Sequence, residues 1–130
     1  YMSEIIRILQ FASAAAFLPQ PRFAVYAATK SFVLSYSRAL AMELKSRQIY
    51  VTAACPGPVK TEFFDIAETT GEIPLYKRLV MANPKKVVKK ALRDSMMGKR
   101  VSVYGPLMKV FFLLVKVFPH DFILSLLFSA

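Results

Sequence analysis

"YAATKSFVLSYSRALAMELKSRQIYVTAACPG", residues Tyr26–Gly57, changes its period partway along. Up to about Arg47, small and apolar residues recur at three and four: Ala28, Phe32, Ser35, Ala39 and Met42. Side chains at that spacing share one helix face, so a helix is expected from Ala24 to about Arg47. "IYVTAAC" (Ile49–Cys55) is instead a strand-like apolar run, and it stops at Pro56-Gly57, a strong turn signal.

Upstream, Ile5–Ala12 reads as a strand compatible with burial on both faces, and "SAAAFLPQPRF" follows as a loop carrying Pro19 and Pro21. Strand, loop, long helix, strand is the pattern of a parallel sheet with crossover helices. Downstream, Val59–Met81 has no clear period and contains Gly71 and Pro74, so a loop with one or two short helical turns is expected. Asn83-Pro84 then opens a helix, with Asn as the cap and Pro at the first helical position. Val87, Val88, Ala91, Leu92 and Met96 are expected on one side, with Lys85, Lys86, Lys89, Lys90 and Arg93 on the other. Arg100–Tyr104 reads as a last strand, and an apolar tail begins after it.

At 130 residues the chain holds one small domain with a core. It enters a strand pattern almost at once from Tyr1, which predicts the C-terminal portion of a longer protein. Tyr1–Leu18 lacks the basic, apolar and small-residue succession of a signal peptide. Cys55 is the single cysteine, so no intrachain disulfide can form and a reducing, cytoplasmic setting is the default. The formal net charge is +10, and most of it lies between Lys77 and Arg100, where nine Lys and Arg face only Asp94. Nothing there resembles a nucleic-acid motif and aromatic interleaving is absent, so nucleic acid is not an expected partner.

One Tyr-x-x-x-Lys pair, Tyr26 and Lys30, would be unremarkable among six tyrosines. Its surroundings make it a candidate site. Ser13 stands thirteen residues earlier at the end of the first strand, and "CPGPVKTEF" begins at the end of the second. Ligands of open α/β sheets bind beyond the carboxyl ends of the strands, so these features converge on one edge.

The constellation resembles the short-chain dehydrogenase/reductase family. The matching pieces are "FASAAA" with Ser13, "YAATK" with Tyr26 and Lys30, "SYSRALAMEL", and "CPGPVKT". They span about Ile5 to Thr61, with a looser likeness through Tyr104. The resemblance implies the C-terminal half of a Rossmann-like, doubly wound parallel α/β sheet over residues 1–106, followed by apolar helices over 107–130. It implies NAD or NADP as cofactor and a small carbonyl or alcohol as substrate, with a homo-oligomer expected. Tyr26 would be the proton donor or acceptor, Lys30 its electrostatic partner and a holder of the nicotinamide ribose, and Ser13 the donor to the substrate oxygen. Pro56, Gly57, Val59 and Thr61 would line the nicotinamide.

The chemistry suits those residue types. A free phenol ionises near pH ~10, and a neighbouring positive charge favours its anion. Such a phenol can give a proton to a carbonyl oxygen or take one from an alcohol, while a serine hydroxyl steadies the developing negative charge. The family's glycine-rich phosphate turn and its catalytic asparagine have no counterpart here, since the only glycines are Gly57, Gly71, Gly98 and Gly105. The reading as a C-terminal portion expects both upstream of Tyr1, in an active reductase; the rival from another class is a catalytically silent relative that has become a membrane-associated or scaffolding protein.

Glu62–Met81 falls where the family carries a variable substrate lid; the plain alternative is a surface loop with a few core anchors. Cys55 reads as an inert packing residue. His120, the only histidine, reads as a helix start with Asp121, and no metal site is expected. "LMKVFFLLVKVF" and "FILSLLFSA" are each shorter than the ~20 apolar residues that cross a bilayer. They suit either a dimer interface or a monotopic dock on a membrane surface, to which the basic face of Lys85–Arg93 could add anionic-lipid contact. The plain reading of that basic face is a solvated helix surface.

Overall fold

The structure, a computed structural model, describes residues 4–57 and 82–127. Three parallel strands lie in the order β1 (Ile6–Phe11), β2 (Ile49–Ala54), β3 (Val101–Ser102). Ile6 pairs with Ile49 and Phe11 with Ala54, so β1 and β2 end level with each other. Between them run a 3₁₀ turn (Ala14–Phe17) and helix α1 (Ala24–Leu44), which tightens into a second 3₁₀ turn at Lys45–Arg47. Gln48 closes it in the left-handed region (φ 59°), donating its backbone N–H to the Lys45 carbonyl. Helix α2 (Pro84–Met96) precedes β3, and α3 (Pro106–Val117) and α4 (His120–Leu127) follow it.

The helices cover opposite faces of the sheet. Leu34 of α1 clusters with Ala53, Cys55 and Val103 on one face. On the other, the Arg7 guanidinium donates to the Ser95 carbonyl of α2, and Ser102 Oγ donates to Asp94 Oδ2 at 2.7 Å. This is the doubly wound α/β arrangement expected from the sequence, with shorter outer strands. α3 and α4 close the carboxyl end through Val115 and Ile123, which join the same core as Phe17 and Leu18. Phe17 meets Phe112 with ring centroids 4.7 Å apart.

One expectation needs correction, and the structure adds which helix faces turn inward. β1 is not buried on both faces: Phe11 is 63% exposed, and Ile5 and Ile6 are exposed too. It is an edge strand of the described sheet, with β2 on one side only. In α1 the recurring stripe of Ala28, Phe32, Ser35, Ala39 and Met42 faces outward, and Ala27, Leu34, Ser37 and Ala41 face the sheet. The inner stripe is mostly small, which lets α1 lie close to β2. In α2 only Val87 and Ala91 of the five apolar residues are buried, whereas Val88, Leu92 and Met96 are exposed. Their inward places are taken by Asp94, whose carboxylate accepts from Lys90 and Ser102, and by Ser95, whose carbonyl accepts from Arg7.

The start of α2 follows the sequence closely. Asn83 Oδ1 accepts from the Lys85 backbone N–H at 2.9 Å, and Pro84 opens the helix. Burial pushes the Asp94 carboxyl up, but hydrogen bonds from Lys90 and Ser102 and the charges of Lys90 and Lys99 outweigh it and hold the group below the usual carboxylate value. Among the described residues no helix is long and apolar enough to cross a membrane.

Candidate active site at the carboxyl edge of the sheet

Ser13 ends the first strand's run and caps the 3₁₀ turn: its Oγ accepts from the Ala15 backbone N–H at 3.1 Å. An oxygen that accepts there keeps its own O–H free to donate elsewhere. The turn is fixed to the end of β2 by backbone bonds, Ala12 N–H to the Ala54 carbonyl and Ala14 N–H to the Pro56 carbonyl, both 2.8 Å. Ser13 and Pro56, far apart in sequence, are thereby held on one rim.

Tyr26 and Lys30 sit one turn apart near the start of α1, and the Lys30 ammonium lies 5.7 Å from the Tyr26 ring centroid. The same ammonium donates to the Phe11 carbonyl at 3.4 Å, at the end of β1 and two residues from Ser13. Ser31 Oγ donates to the Ala16 carbonyl at 3.0 Å and ties this part of α1 to the Ser13 turn. Phe23 packs edge-on against Tyr26, centroids 6.5 Å apart, and leaves the phenol 45% exposed. Among the described residues no hydrogen bond joins the Ser13 hydroxyl to Tyr26.

Pro56 and Gly57 lie on this rim, while Val59 and Thr61 fall outside the described residues, as does the whole Glu62–Met81 segment. Gly57 also has a packing role. A Cβ there would come within 2.5 Å of Met108 Sδ, so the absent side chain admits α3 onto the turn. Sequence reasoning missed α3 as a wall of this site. Its signal was weak: an apolar Phe17 inside a loop and an apolar helix after the last strand, with nothing local to join them.

Cys55, directly before Pro56, is fully buried. Burial pushes its thiol up to about 12, against the opposing Arg38 charge and a hydrogen bond from the Ser13 backbone. It is a packing residue, as expected. His120 begins α4, and among the described residues no cluster of His, Cys, Asp and Glu could hold a metal ion.

An amine, a phenol and a hydroxyl on one rim make a donor set suited to the vicinal hydroxyls of a ribose and to one polarised oxygen. The residues present therefore fit the nicotinamide-ribose end of a dinucleotide.

Comparison with known proteins gives the same direction. The family model for short chain dehydrogenases matches residues 4–70. The very-long-chain 3-oxoacyl-CoA reductase-B of Danio rerio is 39% identical over 75 residues, 58% of this chain and 24% of that protein. A short-chain type dehydrogenase/reductase of Picea abies is 40% identical over 58 residues, 45% of this chain and 21% of that protein. In fold, the chain is similar to a short chain dehydrogenase from Burkholderia cenocepacia J2315 solved with NADP. That match has a TM-score of 0.75 at 18% identity, covering 95% of this chain and 48% of the other. The chain thus spans about a quarter of the length of the curated relatives it matches.

Proposed function

The chain belongs to the short-chain dehydrogenase family, and from that premise we propose that it carries the proton-transfer half of an NAD(P)-dependent oxidoreductase interconverting a carbonyl and an alcohol. The observation that carries this reading is the Lys30 ammonium set 5.7 Å from the Tyr26 ring and bound to the strand end beside Ser13. When bound, the nicotinamide supplies or accepts the hydride.

The chain's own residues handle the oxygen. In reduction Tyr26 Oη delivers a proton to the carbonyl oxygen as negative charge grows there; in oxidation it removes the proton from the alcohol. Lys30 keeps a positive charge close to Tyr26 and favours the phenolate that donation leaves behind. The family pattern also assigns it to the ribose hydroxyls. Ser13 donates its free O–H to the same substrate oxygen, a contact that strengthens in the transition state. Pro56, Gly57, Val59 and Thr61 are assigned to the nicotinamide side by the family pattern.

A 3-oxoacyl thioester is the first substrate class to test, because the Danio rerio relative is a very-long-chain 3-oxoacyl-CoA reductase and the rim is walled by the apolar α3. The experiment incubates the intact protein with NADH or NADPH and a chain-length series of 3-oxoacyl thioesters, following nicotinamide absorbance. Turnover of any member supports the reading; no turnover of these or of simple ketones with either nucleotide contradicts it.

A further inference from the structure

α3 and α4 turn one face into the core and a second apolar face outward. Met108, Phe111, Phe112 and Val115 point inward with Ile123 and Leu124. Outward stand Val110, Leu113 and Val117 on α3, then Phe118, Phe122 and Leu126, each between 44% and 73% exposed. The Phe118 and Phe122 rings lie 5.9 Å apart and carry the surface across the Pro119 break. Apolar residues exposed side by side across two helices mark a candidate interaction surface.

The charges along it favour one partner. α3 has two cations, Lys109 and Lys116, and no carboxylate. Both lysines fall along the border between the inward and outward stripes. The Lys116 ammonium sits 4.1 Å above the Phe112 ring, its stem laid along apolar surface and its head at the boundary. Asp121, in the first turn of α4, is the single acid of the two helices. Helices of 12 and 8 residues are too short to cross a bilayer but long enough to lie in its surface. The basic side of α2 is on the other sheet face from α1, so it is not needed for this contact.

We propose that the outward face of α3–α4 docks in the plane of a bilayer rich in anionic lipid, with Lys109 and Lys116 at the headgroups. Because α3 also packs on Phe17 and Gly57, docking brings the catalytic rim to the bilayer surface, within reach of an apolar carbonyl compound dissolved there. That consequence rests on the oxidoreductase reading; the docking itself does not.

The test is flotation of the intact protein with vesicles of phosphatidylcholine alone or with about one third phosphatidylglycerol, at low and high salt. The wild type is expected to float with the anionic vesicles. Leu113→Glu/Val117→Glu should lower the bound fraction at least about tenfold with thermal unfolding unchanged. Lys109→Glu/Lys116→Glu should remove the preference for phosphatidylglycerol, which keeps the test decisive should the first variant misfold. Equal flotation of wild type and both variants overturns the proposal. So does a wild type that binds no vesicle and runs as a dimer split by Leu113→Glu/Val117→Glu, which would assign the face to a second copy. None of these readings depends on turnover, so loss of the oxidoreductase reading would leave them intact.

Discussion

Met108 rests its thioether on Gly57, so that a methyl group there fits only if the thioether moves: a Cβ would lie 2.5 Å from Sδ and 2.9 Å from Cγ. The contact joins the tail to the turn that ends β2. Gly57→Ala is expected to cost under about 1 kcal/mol, because the flexible Met108 thioether can swing aside, whereas the bulkier Gly57→Val should cost about 1–3 kcal/mol by overpacking. Met108→Ala in the Gly57→Val background should recover part of that loss. Urea unfolding midpoints of the single and double variants decide it; a neutral Gly57→Val would show that α3 does not seat here.

Asp94 predicts how stability responds to acid. Its carboxyl is 2% exposed, takes hydrogen bonds from Lys90 at 2.8 Å and Ser102 at 2.7 Å, and is held below its ordinary value of 3.8. A depressed carboxyl contributes stability that is fully present above the unfolded-state value and is lost as pH falls through the folded one. Asp94→Ala should cost about 1–3 kcal/mol near neutrality, since it strands the buried Ser102 hydroxyl while the two lysines can turn to solvent. Asp94→Asn should flatten the fall in stability below pH ~4. Denaturation measured across that range checks both.

How much of this was legible beforehand depended on distance along the chain. Asn83-Pro84 gave the start of α2 because the cap bonds only two residues away. Tyr26 and Lys30 were visible as a pair for the same reason, being one helical turn apart. Which stripe of α1 or α2 turns inward was not visible: Val87 and Val88, or Ala27 and Ala28, have equal claims until the sheet selects one. α1 presses its small residues on β2, and α2 buries Asp94 because Lys90, Lys99 and Ser102 surround it. The anchor of Lys30 is a backbone carbonyl, which no side-chain pattern announces.

The proposed mechanism gives Ser13 a catalytic duty beside its structural one, and the two are told apart by their readouts, kcat and stability. Ser13→Ala removes the cap on the 3₁₀ turn, for a loss of about 1 kcal/mol. It also removes the donor to the substrate oxygen, for a loss of about 10²–10³ in kcat. Ser13→Thr keeps a hydroxyl and should recover much of both. A kcat unaffected by Ser13→Ala would leave the residue with its structural role only.

Cys55 should resist thiol reagents. Buried and pushed up to about 12, the thiol is neutral and screened at ordinary pH. Labelling in native buffer is expected to be slow and to track global unfolding as denaturant is added. Rapid labelling of the native protein would contradict the burial.

The central claim is that Tyr26 exchanges a proton with the substrate oxygen beside the Lys30 charge. Tyr26→Phe in the intact enzyme removes that one hydroxyl and leaves the half-exposed ring in place. Steady-state kinetics with nucleotide binding measured in parallel should give a kcat lowered by about 10²–10⁴ with the dissociation constant for nucleotide little changed. A Tyr26→Phe enzyme with wild-type kcat would contradict the account.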